Sequence, residues 1–112
     1  MKIIDLENLS IETTYMSILK EIYNIIISFD NVNTILTNCN LGSVLLDYPI
    51  SNQYKLKDSI SSGGKIYPIG QLGNIIVYVD PLMKISDKVI YLKNNDELIE
   101  TIEIKDKNNI LI

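Results

Sequence analysis

The chain has 112 residues, a length that fits one small domain. It has no His, Trp, Arg or Ala and one Cys, so neither a Ser-His-Asp triad nor a Cys/His zinc site nor an internal disulfide can be built. Ten basic residues against 14 acidic ones give a net charge of −4, which argues against a general nucleic-acid binder. We therefore expect no catalytic site, no cofactor and no metal.

Targeting signals are also missing from the sequence. No apolar run approaches the roughly 18 residues of a membrane span. The first ten residues, MKIIDLENLS, contain two acids and no small-residue cleavage site, so we expect no secretory leader. The 22 Ile residues, with frequent Asn and Lys, indicate AT-rich coding such as that of a low-GC bacterium or its phage.

The first long element predicted is an amphipathic helix. Apolar side chains recur with a period of 3.6 residues and form one stripe that we expect to pack in the core. The stripe consists of Ile11, Tyr15, Ile18, Leu19, Ile22, Ile25, Ile26 and Phe29. Ser10 is the first candidate N-cap, with Thr13 or Thr14 as alternatives, and Asp30-Asn31 ends the helix.

A short strand and a short helix are predicted next. The sequence NTILTN, from Asn33 to Asn38, indicates the strand. Asn40 is then the expected N-cap of a helix from Leu41 to Asp47. Pro49 stops this helix, because the residue before a proline avoids the helical conformation.

The following region, residues 49–64, is polar and ends in Ser61-Ser62-Gly63-Gly64, which predicts a mobile loop. Serines beside glycines could suggest a phosphate cradle, but the rest of a P-loop is missing. Tyrosines flank this loop, and Tyr is enriched at protein interfaces because it joins a large apolar body to a polar tip. The possible interface residues are Tyr48, Tyr54, Ser61, Gly63 and Gly64.

The second half of the chain has a strand-like pattern. Residues 65–69 are expected to be extended, Gly70-Gln71-Leu72-Gly73 to form a turn, and Asn74–Asp80 (NIIVYVD) to form a central strand, because both of its faces are apolar. Lys88–Lys93 predicts the next strand, and Asn94-Asn95-Asp96 a turn.

The last segment is ambiguous. Leu98–Lys105 fits a helical turn after an Asp96 cap, or a strand. The strand is preferred, because residues 106–109 would then turn the chain into Ile110–Ile112 as a hairpin.

These elements predict an α+β fold, with one long and one short helix packed on a mainly antiparallel sheet. Residues 1–112 form a single domain in this interpretation. It is divided into an N-terminal segment (1–9), a helix-strand-helix part (10–48), the loop (49–64) and a strand-rich half (65–112).

A few reactive side chains need an explanation. Asp80, Asp87 and Asp96 lie at or beyond strand ends, where carboxylates can bind metal or transfer protons. Their spacings place them at successive turns, which Asp favours in any case, so turn formation is the preferred interpretation. Cys39 precedes the short helix, whose N-terminus can activate a thiol, but no base is present to complete a catalytic pair.

One stretch resembles a known family. The sequence IGQLGNIIVYVDP, from Ile69 to Pro81, is followed by DKVIYLK, from Asp87 to Lys93. It resembles the C-terminal part of the major capsid proteins of tailed phages, in the T4-like branch of the HK97 fold. That family tends to show a glycine-flanked turn, a V-Y-V-D-P strand, a spacer, and an aspartate leading a strand that ends in Y-K or L-K. The residues that match are Gly70, Gly73, Tyr78, Asp80, Pro81 and Asp87.

The order of elements is also similar to that of the family's axial domain. A long amphipathic helix, a short strand and a short helix containing Ser43-Val44-Leu45 precede the motif. Family members are several times longer, with an N-terminal arm, an extended loop and a spine helix before this region. The resemblance therefore covers about residues 10–93 and implies an axial-domain-like module.

The resemblance implies a structural protein of the virion or host cytoplasm that assembles with itself or with full-length capsid subunits. Gly70 and Gly73 would permit the turn, Tyr78 would pack on the sheet, Asp80-Pro81 would break the strand, and loop 49–64 would contact a capsomer axis. No specific nucleic acid, membrane or small-molecule substrate is expected. The alternative is a small intracellular protein-binding module, of phage or low-GC bacterial origin, unrelated to capsids.

Overall fold

The structure, a computed structural model, describes residues 1–7, 14–54 and 64–111, and within them seven strands form one sheet with two helices beside it. The strands are β1 (Lys2–Asp5), β2 (Thr34–Thr37), β3 (Ser51–Gln53), β4 (Tyr67–Leu72), β5 (Ile75–Val79), β6 (Val89–Asn94) and β7 (Glu97–Lys105). The helices are α1 (Tyr15–Ile27) and α2 (Cys39–Leu45). The order of strands across the sheet is β1-β7-β6-β2-β5-β4-β3.

The sheet is mixed. The pairs β2–β6, β3–β4, β4–β5 and β6–β7 are antiparallel, whereas β1–β7 and β2–β5 are parallel. The predicted α+β class, with one long and one short helix, is confirmed at this level, since α1 has 13 residues and α2 has 7. Strand β1 lies in the segment that the sequence left unassigned, and its partner β7 is at the other end of the chain.

Helix α1 confirms the predicted amphipathic helix. Thr14, one of the alternative caps, accepts a hydrogen bond from the Ser17 N–H (3.2 Å), and the Ser17 hydroxyl oxygen accepts one from the Thr14 N–H (3.0 Å). This capping box satisfies two donors that a helix start leaves unpaired. The buried residues are Ile18, Leu19, Ile22 and Ile26. The other candidate caps, Ser10 and Thr13, lie outside the described residues.

Helix α2 begins earlier than predicted, because its N-cap is Asn38 and not Asn40. The Asn38 side-chain oxygen accepts a hydrogen bond from the Leu41 N–H (2.8 Å). Its amide nitrogen donates to three backbone carbonyls in residues 84–87, at 3.0 to 3.4 Å. A buried Asn needs partners for both ends of its amide, and only the position at the end of β2 supplies them. The helix ends two residues before the predicted end.

The predicted turn at residues 70–73 is wrong for its first three residues, which all belong to β4. Gly70 lies inside β4, where the register with β5 shifts between Pro68 and Gly70. The backbone of β3 approaches so closely here that a Cβ on Gly70 would overlap the carbonyl oxygen of Asn52. The tight turn is formed by Gly73, whose φ of 62° suits glycine, together with Asn74.

Part of the predicted loop 49–64 is a strand. Ser51 pairs opposite Leu72, and Gln53 opposite Gly70, so β3 forms the edge of the sheet. The Tyr54 N–H extends this pairing with a hydrogen bond to the Ile69 carbonyl (3.0 Å). A polar edge strand of three residues carries no alternating apolar signal, which explains the wrong prediction. Residues 55–63 of the predicted loop lie outside the described part of the chain.

The strand-rich half otherwise follows the prediction. β5 is central, between β2 and β4, as its two apolar faces indicated. β7 is a strand, and it is joined to β6 by the turn at Asn95-Asp96, where Asn95 has a φ of 52°.

The predicted closing hairpin into Ile110–Ile112 is wrong for the described residues, which form no strand there. The Asp106 carboxylate accepts hydrogen bonds from the N–H groups of Ile110 (2.7 Å) and Leu111 (2.9 Å). These bonds curl the chain inward, and Leu111 becomes part of the buried core.

One apolar core lies between the helices and one face of the sheet. Ile35 stands opposite both Val77 and Leu92, and all three are fully buried with the apolar residues of α1 and α2. The helices are joined to each other by a hydrogen bond from the Tyr15 hydroxyl to Asp47 (2.7 Å). Both helices therefore cover the same face of the sheet.

Candidate interaction surface

The opposite face of the sheet is covered by neither described helix, and it is apolar at its centre. The register puts Leu36 of β2 directly opposite Tyr78 of β5 and Tyr91 of β6. Ile76 and Val89 flank this row, two residues along their strands from Tyr78 and Tyr91. All five side chains are half-buried, and none belongs to the buried core or packs against it. We call these five residues the open face.

The open face follows from a sequence pattern that normally needs cover on both sides. In β5, Val77 and Val79 are buried under the helices, while Ile76 and Tyr78 alternate with them toward the opposite side. Strand interiors that are apolar on both faces are typical of sheets covered by packed elements on each side. The sequence of the central strands is therefore that of a layer covered on both sides, whereas the two described helices cover one side.

A groove crosses this surface beside the open face. It has a volume of about 390 Å³, and its lining includes Leu36, Tyr78, Thr34, Lys93 and Ile66. Ile66 is 51% exposed at its rim. Half of the lining residues are polar or charged, Asp96 among them, so the groove combines apolar side chains with hydrogen-bonding groups, as protein interfaces do.

Two charged side chains stand at opposite ends of the open face. Lys93 follows Tyr91 along β6, whereas Glu103 of β7 lies opposite Val89, at the other end of β6. Both are half-buried. Neither side chain has a hydrogen-bond or ion-pair partner among residues 1–7, 14–54 and 64–111. An external partner with an acid near Lys93 and a base near Glu103 would therefore match both ends of the open face.

The family-motif residues occupy distinct places. Tyr78 lies on the open face, and Gly73 forms the β4–β5 turn. The Asp80 carboxylate accepts a hydrogen bond from the Leu82 N–H (2.9 Å), and its carbonyl accepts one from the Met83 N–H (3.1 Å).

Pro81 follows Asp80 in the turn that leaves β5. Asp87 precedes β6, and its carbonyl binds the Asn38 side chain. Asp80, Asp87 and Asp96 each lie at or beside a turn, as predicted, and they do not form a cluster in the part of the chain that is described.

The predicted interface residues do not share a surface with the open face. Tyr48 packs against the core on the helix side, and its ring stacks on that of Tyr23, with centroids 4.8 Å apart. Tyr54 is half-buried after β3, and Gly64 has a φ of 81° beneath Leu82. Ser61 and Gly63 lie outside the described residues.

The sequence prediction missed Leu36, Ile76 and Tyr91 as interface candidates. The signal that identifies them is the apolar character of both faces of the central strands, from which the sequence analysis predicts only that β5 is central.

The reactive side chains are dispersed. Burial raises the pKa of the Tyr67 phenol, and the neighbouring Cys39 adds to this shift through its charge and a hydrogen bond. Within the described residues, no three acidic or Cys side chains converge on a possible metal position. No described helix is long and apolar enough to cross a membrane. Comparison of the chain with family models, curated proteins and solved structures found no match.

Proposed function

We propose that this chain is a non-catalytic structural protein that works by packing its open face against another protein chain. The single observation that carries the proposal is the apolar row of Leu36, Tyr78 and Tyr91 in the middle of the sheet, which neither described helix covers. Burial of apolar surface contributes roughly 25 cal/mol per Å², so covering these side chains would drive association.

The partner that the sequence favours is a phage capsid subunit or a second copy of the chain. The resemblance to the axial domain predicts that the long helix and the strand ending in Val79-Asp80 share one core. Ile22 of α1 and Val77 of β5 are both fully buried in the same cluster, an arrangement that supports this proposal. The place of action would then be the virion or the host cytoplasm.

The alternative, a small protein-binding module unrelated to capsids, would use the same open face for a different partner. Sedimentation velocity separates the two proposals. The purified chain is run alone, and then mixed with a full-length major capsid protein of the T4-like branch. Faster sedimentation of the chain in either run supports the capsid-type role. A strict monomer that ignores capsid subunits contradicts it and leaves the alternative.

Variants show whether any association uses the open face. Leu36→Lys places a charge at the centre of the apolar row, and we expect it to weaken association by roughly 30-fold or more, as for a residue at the centre of an interface. Ile27→Lys is the matched control, because Ile27 is 49% exposed on α1, on the helix side of the sheet. If Ile27→Lys weakens association as much as Leu36→Lys does, the open face is not the binding surface.

A further inference from the structure

We infer that the occupant of the open face is a second copy of the same chain, packed face to face about a two-fold axis. This inference rests on the proposed function and names the partner for it. It is carried by the charges at the two ends of the open face, together with the shape of the sheet.

A two-fold rotation would bring Lys93 of each copy close to Glu103 of the other. Glu103 lies opposite Val89, which is four residues along β6 from Lys93. At about 3.3 Å per residue, the two charged positions are therefore about 13 Å apart along the strand, too far for an ion pair within one chain. In a two-fold symmetric interface each contact occurs twice, so opposite charges at the two ends of an apolar strip would form two equivalent ion pairs between the copies.

The two-fold axis that brings these charges together is perpendicular to the strands and lies midway between the two facing sheets. It places Leu36 and Tyr91 of one copy over the same residues of the other. It also reverses the two ends of the face, so that Lys93 of each copy approaches Glu103 of the other. Two sheets stacked in this way would keep their strands nearly aligned, which is the common geometry of β-sandwiches, with about 10 Å between the layers.

The available area indicates a weak dimer. Five neighbouring strands, from β7 to β4, form this part of the sheet. With about 4.8 Å between strands and about five residues in each, this side of the sheet has a projected area on the order of 400 Å². Two copies would bury on the order of 800 Å² plus the relief of the side chains, which is below the roughly 1,200–2,000 Å² of stable specific interfaces and in the range of weak, transient ones. We therefore expect dissociation constants in the micromolar range or weaker.

Charge reversal tests the inference by sedimentation equilibrium from about 10 µM to about 1 mM. Lys93→Glu and Glu103→Lys each place like charges opposite each other at both ends, so we expect each to weaken dimerisation by about tenfold or more. The chain carrying both substitutions regains opposite charges and should dimerise like the original. An equimolar mixture of the two single variants should also form dimers, because each supplies the charges that the other lacks.

Matched controls make the same changes of net charge elsewhere. Lys20→Glu and Glu21→Lys lie on the exposed side of α1 and should leave dimerisation unchanged. Circular dichroism checks that every variant is folded. Rescue by the doubly substituted chain excludes a trivial loss of structure in the single variants.

Several results would overturn the inference. The first is that the chain stays monomeric at the highest concentration. The second is that the α1 control variants lose dimerisation as much as the Lys93 and Glu103 variants do. The third is that the double substitution or the mixture fails to restore dimers. A monomeric chain that binds capsid subunits through Leu36 would overturn only the second-copy inference. A chain that does neither would overturn the proposed function as well.

Discussion

The Asp106 carboxylate holds the last described residues in place by accepting hydrogen bonds from their backbone. It takes hydrogen bonds from the Ile110 and Leu111 N–H groups, and the Lys88 ammonium lies 3.5 Å from one of its oxygens. Lys88 also donates to the Asp106 carbonyl and to the Asn109 side chain, both at 2.8 Å. The side chain of Asp106 is fully buried, so it acts as a satisfied anchor inside the fold.

We expect Asp106→Ala to lower the free energy of unfolding by roughly 2–4 kcal/mol, because it leaves two backbone donors without their acceptor and removes the negative charge beside a largely buried ammonium. Urea denaturation measures the change. Asp30→Ala removes an exposed carboxylate after α1 and should cost less than about 0.5 kcal/mol. An equal, small effect of both substitutions would show that the buried anchor contributes nothing.

Tyr15 joins the two helices through its hydroxyl, and its pKa is raised well above its ordinary value of 10.0. Burial is the main cause, followed by the hydrogen bond to Asp47 and then by the negative charge of Asp47. A raised pKa in the folded state means that this contact is fully present below about pH 10. It is lost only as the pH rises through the folded-state value.

Substitution of Asp47 separates these causes. We expect Asp47→Asn to lower the pKa of Tyr15 by removing the charge, and Asp47→Ala to lower it further by removing the acceptor as well. NMR titration of the chain with ring-labelled tyrosine follows the Tyr15 signal. An unchanged Tyr15 pKa in both variants would mean that the hydrogen bond does not persist in solution.

Among the elements, α2 depends on a single side chain that also holds the β5–β6 connection. Asn38→Ala removes the cap of α2 and takes one donor from each of three carbonyls, of which those of Lys84 and Asp87 keep a backbone donor. We expect it to lower the free energy of unfolding by roughly 2–3 kcal/mol. Thr14→Ala, which removes the cap of α1 alone, should cost about 1 kcal/mol. Equal costs in urea denaturation would contradict the dual role of Asn38.

Elements with a strong periodic signal could be predicted from the sequence, whereas elements defined by a distant partner could not. The stripe of α1 and the two apolar faces of β5 are local patterns, and both predictions are confirmed. β1 and β3 are short edge strands of four and three residues, specified by their pairing with β7 and β4. No local window contains that information.

The open face is harder to predict from the sequence than the fold, for a related reason. The sequence predicts interface tyrosines beside the polar loop, but the ring of Tyr48 stacks on that of Tyr23 on the helix side of the sheet. Leu36, Tyr78 and Tyr91 come from three strands that are distant along the chain and become neighbours only through the register of the sheet. The pattern shows that β5 is apolar on both faces, but only the fold shows that the described helices cover just one of them.

At the scale of the whole molecule, the described residues form two layers, with helices on one face of the sheet and the open face on the other. Its charge of −4 opposes association in general, so an interface needs a local region where acidic residues are few. The open face provides such a region, because its five side chains are uncharged and the charges of Lys93 and Glu103 at its two ends cancel.

A methyl-resolved NMR titration tests the open face as the binding surface most directly. The labelled chain is observed as its own concentration increases, and then as unlabelled capsid subunits are added. We predict that the methyl signals of Leu36 and Ile76 shift or broaden, while those of Ile27 on α1 do not change. Changes centred on Ile27, or no change at Leu36 and Ile76 in either titration, would contradict the proposed role of the open face.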